Sequence, residues 1–361
     1  MKLSTLAAVH AALATITIAT SMNYTTVTGH FLQDDNATNA TTFDYTTTNL
    51  GLINRTYPSD TSTTQTQTQW QRFTHHLTTL NANTPPHTTH KLLILGRHGE
   101  GHHNAAESFY GTPAWNCYYS LLNGNATTSW ADPTLTEEGI EQALVANKFF
   151  AHALSESGMP APQSYYTSPM QRCLATANLT FSGLDLPAKY PFIPTIKEFL
   201  REGISLHTCD RRHNRTYIAS MYPDYPFEAG FAENDTYWTG VVGETPDAQD
   251  VRSRTVLDDI FSNDNSTYIS ITSHSGEIAS LLRVLGHRVF SLRTGAVIPV
   301  LVKAETMKDE VSTSTPSFTI SPHCTAPLMT SASSFGVGGC LCPSSAAPVT
   351  TPLISIGPFR R

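Results

Sequence analysis

The stretch Lys91 to Asn104, K-L-L-I-L-G-R-H-G-E-G-H-H-N, constrains this chain more than any other. Leu92 to Leu95 form an unbroken apolar run without alternation, which predicts a strand buried on both faces of a parallel sheet. The run ends in Gly96, and Gly99 and Gly101 then break up a dense set of polar groups. Such a loop lies at the carboxyl end of a buried strand, where open α/β sheets place their ligands. Arg97 supplies a forked cation, His98 a nucleophilic nitrogen and Asn104 an amide. The glycines let the backbone approach a tetrahedral anion closely. A phosphate group suits that set.

Two other readings stay open at this point. A lone His after a strand is commonly a hydrogen-bonded structural residue. A metal site is the second, because His98, His102 and His103 lie close together. The zinc pattern H-E-x-x-H, however, needs both His on one helical face, and Gly99 and Gly101 argue against a helix here. No Asp or Glu set completes a zinc shell, so the expectation is a site with neither metal nor cofactor.

Two later segments bear on the choice. Arg172, in S-P-M-Q-R-C-L-A-T-A, is expected at the fourth position of a helix capped by Ser168 with Pro169 first. There a cation is mildly disfavoured by the dipole, so it reads either as an anion clamp or as a surface Arg paired with an acid. His274 follows the apolar segment Tyr268 to Thr272 (Y-I-S-I-T) and is followed by small residues and a helix. It repeats the setting of His98. Two strand-end His in one α/β domain favour a shared site.

These motifs, in the order R-H-G…N, D-P-T-L-T-E-E-G, S-P-M-Q-R, L-R-E and S-H-S-G, resemble the histidine phosphatase superfamily over roughly residues 90 to 305. W-N-C-Y-Y and H-T-C-D-R-R look most like its fungal phosphoglycerate-mutase-like subgroup. The resemblance implies a three-layer α/β/α sandwich with a mostly parallel central sheet. It also implies that His98 is phosphorylated during turnover, that His274 is the distal histidine, and that Arg97, Asn104 and Arg172 bind phosphate. The proton donor falls at Glu202 in F-L-R-E-G-I-S-L-H-T-C-D-R-R, with Asp210 as its rival. Glu100, a donor in some branches, is the residue that could instead order the first loop. The implied activity is metal-independent hydrolysis of a small-molecule phosphomonoester. A phosphoglycerate-mutase-type transferase and a non-catalytic cell-wall glycoprotein on the same scaffold are the alternatives.

Composition sets the surroundings. The 361 residues hold one large α/β domain with extensions, or two small domains, and carry a net charge of −7 with no run of Lys or Arg. Nucleic acid is not an expected partner. Only 14% of residues are charged, against about 25% in ordinary domains, so something other than charge must keep the surface soluble. Lys2, the apolar segment Leu6 to Ala19 and the small Thr20 and Ser21 have the layout of a signal peptide over 1–21. Asn23, Asn36, Asn39, Asn54, Asn125, Asn178, Asn214, Asn234 and Asn265 are N-x-[ST] acceptors. Together these features predict a secreted glycoprotein, or a cytoplasmic protein if the leader does not function. No other stretch reaches the roughly 18 apolar residues of a membrane helix. Six cysteines permit disulfides whose connectivity the sequence does not reveal, and Cys173 reads as a small hydrophobe inside a helix.

Along the chain, 22–88 is Thr/Asn-rich and is expected to wrap the core loosely or to be partly disordered, with one short helix around Trp70, Phe73 and Leu77. The catalytic domain is expected over 89–306. Residues from Gly111 read as a loop leading to a helix capped by Thr136, whose apolar side is Ile140, Leu144, Phe149 and Leu154. Ser164 to Thr167 and 192–200 read as extended, 203–246 as an irregular insertion, Asp247 to Phe261 as a helix, and Gly295 to Val302 as a last strand. Residues 307–361 form a Ser/Thr/Pro-rich tail, with room for a small Cys-linked knot. Oligomeric state leaves no mark in the sequence.

Overall fold

The computed structural model describes residues 21–64, 66–307, 317–328, 340–342 and 349–354. Apart from Ser21 the expected leader lies outside these residues. In chain order the elements are β1 (Met22–Thr26), α1 (Gln69–Ala82), β2 (Thr88–Arg97), α2 (His102–Tyr110), α3 (Thr112–Cys117), α4 (Glu137–Ser155), β3 (Ser164–Thr167) and α5 (Gln171–Phe181). They continue with β4 (Thr195–Ile196), α6 (Arg215–Met221), β5 (Val242–Glu244), α7 (Pro246–Asn263), β6 (Tyr268–Ser273), α8 (Ser275–Val284), β7 (Val297–Thr306) and β8 (Phe318–Ile320).

The apolar run of β2 takes the middle of a six-stranded sheet ordered β1-β7-β2-β6-β3-β4. β2, β6, β3 and β4 pair in parallel, while β7 and β1 extend the other side antiparallel. Successive β2 side chains point to opposite faces, and each face is covered. Leu93 and Leu95 pack with Ile269, Ile271 and the α7 and α8 residues Leu257, Ile260, Ile278 and Leu281. Leu92 and Ile94 pack with Trp70, Phe73 and Leu77 of α1 and with Ala146, Phe150 and Ala153 of α4. The result is the expected three-layer α/β/α sandwich. Each β2 leucine so buried contributes about 1.5–3 kcal/mol relative to exposure.

The N-terminal stretch corrects the compositional reading. It is part of the core, not a loose wrapping: β1 is the sheet edge, and Phe31, Tyr45, Leu50, Leu52 and Tyr57 are buried in the second layer with α1. Its buried residues Phe31, Tyr45, Leu50, Leu52 and Tyr57 fall at irregular spacing, so no period betrays them. α1 itself starts with a reciprocal cap, Gln71 N–H donating to Thr68 Oγ1 and Thr68 N–H to Gln71 Oε1.

Other boundaries also shift. The Gly111 loop is helical, as α3, and α2 begins directly after Gly101. On α4 the buried face is Ala143, Ala146, Phe149, Phe150 and Ala153, with Ile140 exposed; small residues let this helix lie close to α5. The extended reading of 192–200 shrinks to Thr195–Ile196 followed by a 3₁₀ turn. The insertion holds α6 and β5 and is fixed by buried ion pairs of Arg201 with Glu198 and Asp235, and of Arg212 with Glu198. Disulfides Cys117–Cys340 and Cys324–Cys342 tie the tail to the end of α3, and β8 pairs with β5. Cys173 and Cys209 are free and buried.

Candidate active site

β2 and β6 are parallel neighbours in the register Arg97 opposite Ser273. The next residue of each strand therefore emerges at the same place, and His98 N–H donates to Ser273 O at 3.0 Å. The His98 and His274 rings are both buried, with centroids 5.0 Å apart. His98 Nδ1 lies 2.7 Å from Gly99 O. A carbonyl only accepts, so Nδ1 carries the proton and Nε2 keeps a lone pair. Burial first, and then the Arg172 and Arg97 charges, hold His98 well below the usual imidazole range. The same burial and Arg172 act on His274. Both rings are neutral bases.

The loop after His98 is locked from outside. A Cβ on Gly99 would lie 2.2 Å from Gly139 O, and one on Gly139 would lie 2.0 Å from Glu100 O. Only paired glycines allow this loop to lie on the first turn of α4. Gly99 N–H donates to Thr176 Oγ1 on α5, and Glu100 accepts from Thr136 Oγ1, the cap of α4. Glu100 thus orders the loop. Asn104, in the first turn of α2, accepts from Gly101 N–H through Oδ1 at 3.0 Å.

Two guanidinium groups flank the His pair. Arg97 Nη1 donates to Leu292 O, and Arg172 Nη1 to Cys209 O. The Nε of each is buried without a hydrogen-bond partner. Such orphaned donors are costly unless a ligand meets them. Arg172 is the second residue of α5, not the fourth, because the helix begins at Gln171 behind an N-cap at Met170. Asp132, from the D-P-T-L-T segment, accepts the Gln171 N–H instead of Ser168. Ser168 is freed for another partner, His274 Nε2, at 2.7 Å.

Both candidate acids reach this region. Glu202 stands at the start of α8, half-buried, accepting N–H bonds from Gly203, Gly276 and Glu277 at 2.9–3.2 Å. Asp210 is buried, accepts from Ser205 Oγ at 2.6 Å and lies 3.8 Å from Arg172 Nη2. Burial pushes the Asp210 carboxyl up against the pull of Arg172.

Sequence reasoning passed over two residues here. One is Ser168, read as a cap. The other is His103, considered only as a metal ligand: it is buried, its ring centroid is 5.5 Å from that of His98, and its Nδ1 has no partner. Its spacing within H-H-N was the available signal. Among the described residues the one grouping of three possible metal ligands is His207, Cys209 and Asp210. Its donors suit a cation poorly, since Asp210 faces Arg172 and burial pushes the Cys209 thiol well up.

The model of the histidine phosphatase superfamily, branch 1, matches residues 93–293. A probable phosphoglycerate mutase of Arthroderma benhamiae is 50% identical over 291 residues, covering 80% of this chain and 86% of that one. Phosphomutase-like protein 3 of Candida albicans is 38% identical, over 60% of this chain and 66% of its own length. Probable phosphoglycerate mutase PMU1 of Saccharomyces cerevisiae is 34% identical, over 59% and 79%.

Proposed function

The chain belongs to the histidine phosphatase superfamily, and on that premise we propose that it is a metal-independent phosphomonoester hydrolase working through a phosphohistidine. The observation that carries this reading is the His98 Nε2 lone pair, fixed by Gly99 O, set with His274 between two guanidinium groups whose Nε donors lack partners. A phosphoryl group placed there has a nucleophile and an anion clamp.

In the first step His98 Nε2 attacks phosphorus and the bond to the ester oxygen breaks. Arg97, Arg172, Asn104 and His274 hold the phosphoryl oxygens, and Glu202 gives a proton to the leaving oxygen. The free carboxylate is held by the α8 backbone N–H groups. Water then attacks the phosphohistidine, Glu202 takes the water proton, and phosphate leaves with His98 restored. Asp210 is better placed to steady Arg172.

The printed names of the relatives raise the second reading, a mutase that returns the phosphoryl group to a bound product. A bisphosphorylated ligand calls for further cations. Arg201, Arg212 and Arg252 are instead paired with Glu198, Asp235, Glu244 and Glu277, which supports hydrolysis. A secreted setting fits this reading. Seven of the nine glycan acceptors are exposed, Asn178 and Asn214 being the half-buried ones, and two disulfides suit an oxidising compartment. Among the described residues no helix is long and apolar enough to cross a membrane.

The test is rapid quenching with an aryl phosphate, followed by a monophosphoglycerate with its bisphosphate primer. Phosphate release, with an acid-labile phosphoenzyme absent from His98→Ala, is expected. Undiminished turnover by His98→Ala would sink the mechanism, and isomerisation without phosphate release would establish the mutase.

A further inference from the structure

Ser168 is fully buried, and its Oγ lies 2.7 Å from His274 Nε2. A serine–imidazole contact has two polarities, and they leave His274 in opposite tautomers. If Nε2 donates, Nδ1 is a lone pair, which a phosphoryl oxygen repels. If the hydroxyl donates, Nδ1 carries the hydrogen and can bind that oxygen.

The surroundings decide between them. Ser168 Oγ already accepts from Met170 N–H at 3.3 Å. The Cys173 thiol donates to Ser273 O at 3.3 Å, so its hydrogen is turned away from the ring although the sulfur is 3.3 Å from Nε2. A buried hydroxyl hydrogen must find an acceptor. Among the described residues His274 Nε2 is the strong one, and the rival is the Cys173 sulfur beside Ser168, a weak acceptor.

We propose that Ser168 is a positioning residue that holds His274 in its Nδ1–H form, so that the second imidazole meets the phosphoryl group as a hydrogen-bond donor. This rests on the hydrolase reading for its use, though not for its geometry. The two imidazoles become complementary. His98 is tied through Nδ1 and offers an unprotonated Nε2; His274 is tied through Nε2 and offers a protonated Nδ1. One nitrogen attacks while the other neutralises.

Imidazole ¹⁵N NMR on the wild-type protein, assigned by loss of the signals in His274→Gln, reads the tautomer directly. An Nδ1–H signature for His274 at neutral pH is expected, shifting toward Nε2–H in Ser168→Ala and returning in Ser168→Thr. Ser168→Ala should lower kcat/KM about tenfold, the worth of one oriented hydrogen bond, and weaken inhibition by inorganic phosphate. An Nε2–H signature in the wild type would overturn the proposal, whether or not either variant folds. So would a Ser168→Ala protein with unchanged tautomer. If the protein hydrolyses no phosphomonoester yet His274 is Nδ1–H, the hydrolase reading fails and the tautomer assignment stands.

Discussion

The proposed mechanism gives the candidate site a phosphate end and a leaving-group end, and the two are built by different means. At the phosphate end, adjacent parallel strands deliver His98 and His274, and short backbone and hydroxyl contacts do the fixing: Gly99 O on one ring, Ser168 Oγ on the other, Ser273 O and Thr176 Oγ1 on the loop, Gly139 against Gly99. At the leaving-group end there is little regular structure. Glu202 and Asp210 lie among 3₁₀ turns held by Arg201 and Arg212, which reach Glu198 and Asp235 through buried ion pairs. Sheet geometry allows little adjustment, whereas ion pairs and turns can be rewired residue by residue. On the proposed mechanism the first end would set the chemistry and the second the choice of leaving group.

Separating the two ends kinetically gives the largest expected effect. On the proposed mechanism Glu202→Gln removes the proton for the leaving group, so it should slow alkyl phosphates by about 10²–10⁴-fold and an activated aryl phosphate far less. Arg172→Ala removes charge stabilisation of the phosphoryl group itself and should slow both, by about 10²–10³-fold. Asp210→Asn is the control. A leaving-group-dependent loss in Asp210→Asn, with a uniform or negligible one in Glu202→Gln, would exchange the two carboxylates.

Next in size is the ion-pair scaffold. Arg201 is fully buried between Glu198 and Asp235 and also donates to Asp210 O. Although burial pushes the Asp235 carboxyl up, the Arg201 charge and hydrogen bonds, with backbone N–H groups, hold it far below the usual range. Arg201→Met would leave the buried Asp235 without its counter-ion while Glu198 keeps Arg212, at about 3–5 kcal/mol. Urea unfolding should show that loss, while His98 phosphorylation by an aryl phosphate persists in the molecules still folded. A variant as stable as the wild type would mean the insertion is not held this way.

The same division explains what could be read in the sequence. The Leu92 to Leu95 run and the two strand-end His are local patterns, and they placed Arg97, His98 and His274 at the sheet's carboxyl edge where the structure has them. The family resemblance supplied Glu202. Ser168 was misread because its local signal, a serine before Pro169, matches a helix cap; the N-cap is Met170, and the side chain that takes the first helical N–H, Asp132, is 39 residues away. The insertion had no period to read, since its order comes from charges paired across 3 to 34 residues. The N-terminal stretch failed for a related reason, as single aromatics among threonines show burial only once the sheet is built.

Acid should act on both ends through stability, with a smaller effect. Burial is the first cause holding His98, His103 and His274 well below 6.5, and His207 at the leaving-group end is pushed down to about 4. The unfolded chain protonates these groups near pH 6.5 and the native state does not. Unfolding therefore takes up protons, and stability falls as pH drops through 6.5. His207 alone contributes about 2 kcal/mol of that loss by pH 5. Urea midpoints at pH 7.5 and 5 should differ accordingly. Because His98 stays neutral, kcat/KM of the folded protein should show no histidine limb near 6.5. Equal midpoints at the two pH values would mean these rings are solvated in the native state.

The smallest expected effect is that of chelation. The leaving-group end holds His207, Cys209 and Asp210, whose donor atoms lie within 4.8 Å of one another. A divalent ion there would have to displace Arg172 from Asp210 and draw a proton from a buried thiol whose burial pushes it well above the usual range. Cation repulsion and thiol desolvation both oppose it. Prolonged dialysis against EDTA should therefore leave activity with aryl and alkyl phosphates unchanged. Selective loss with alkyl phosphates, restored by zinc and prevented by Cys209→Ser, would place a metal at the leaving-group end. It would leave the imidazole pair of the phosphate end untouched.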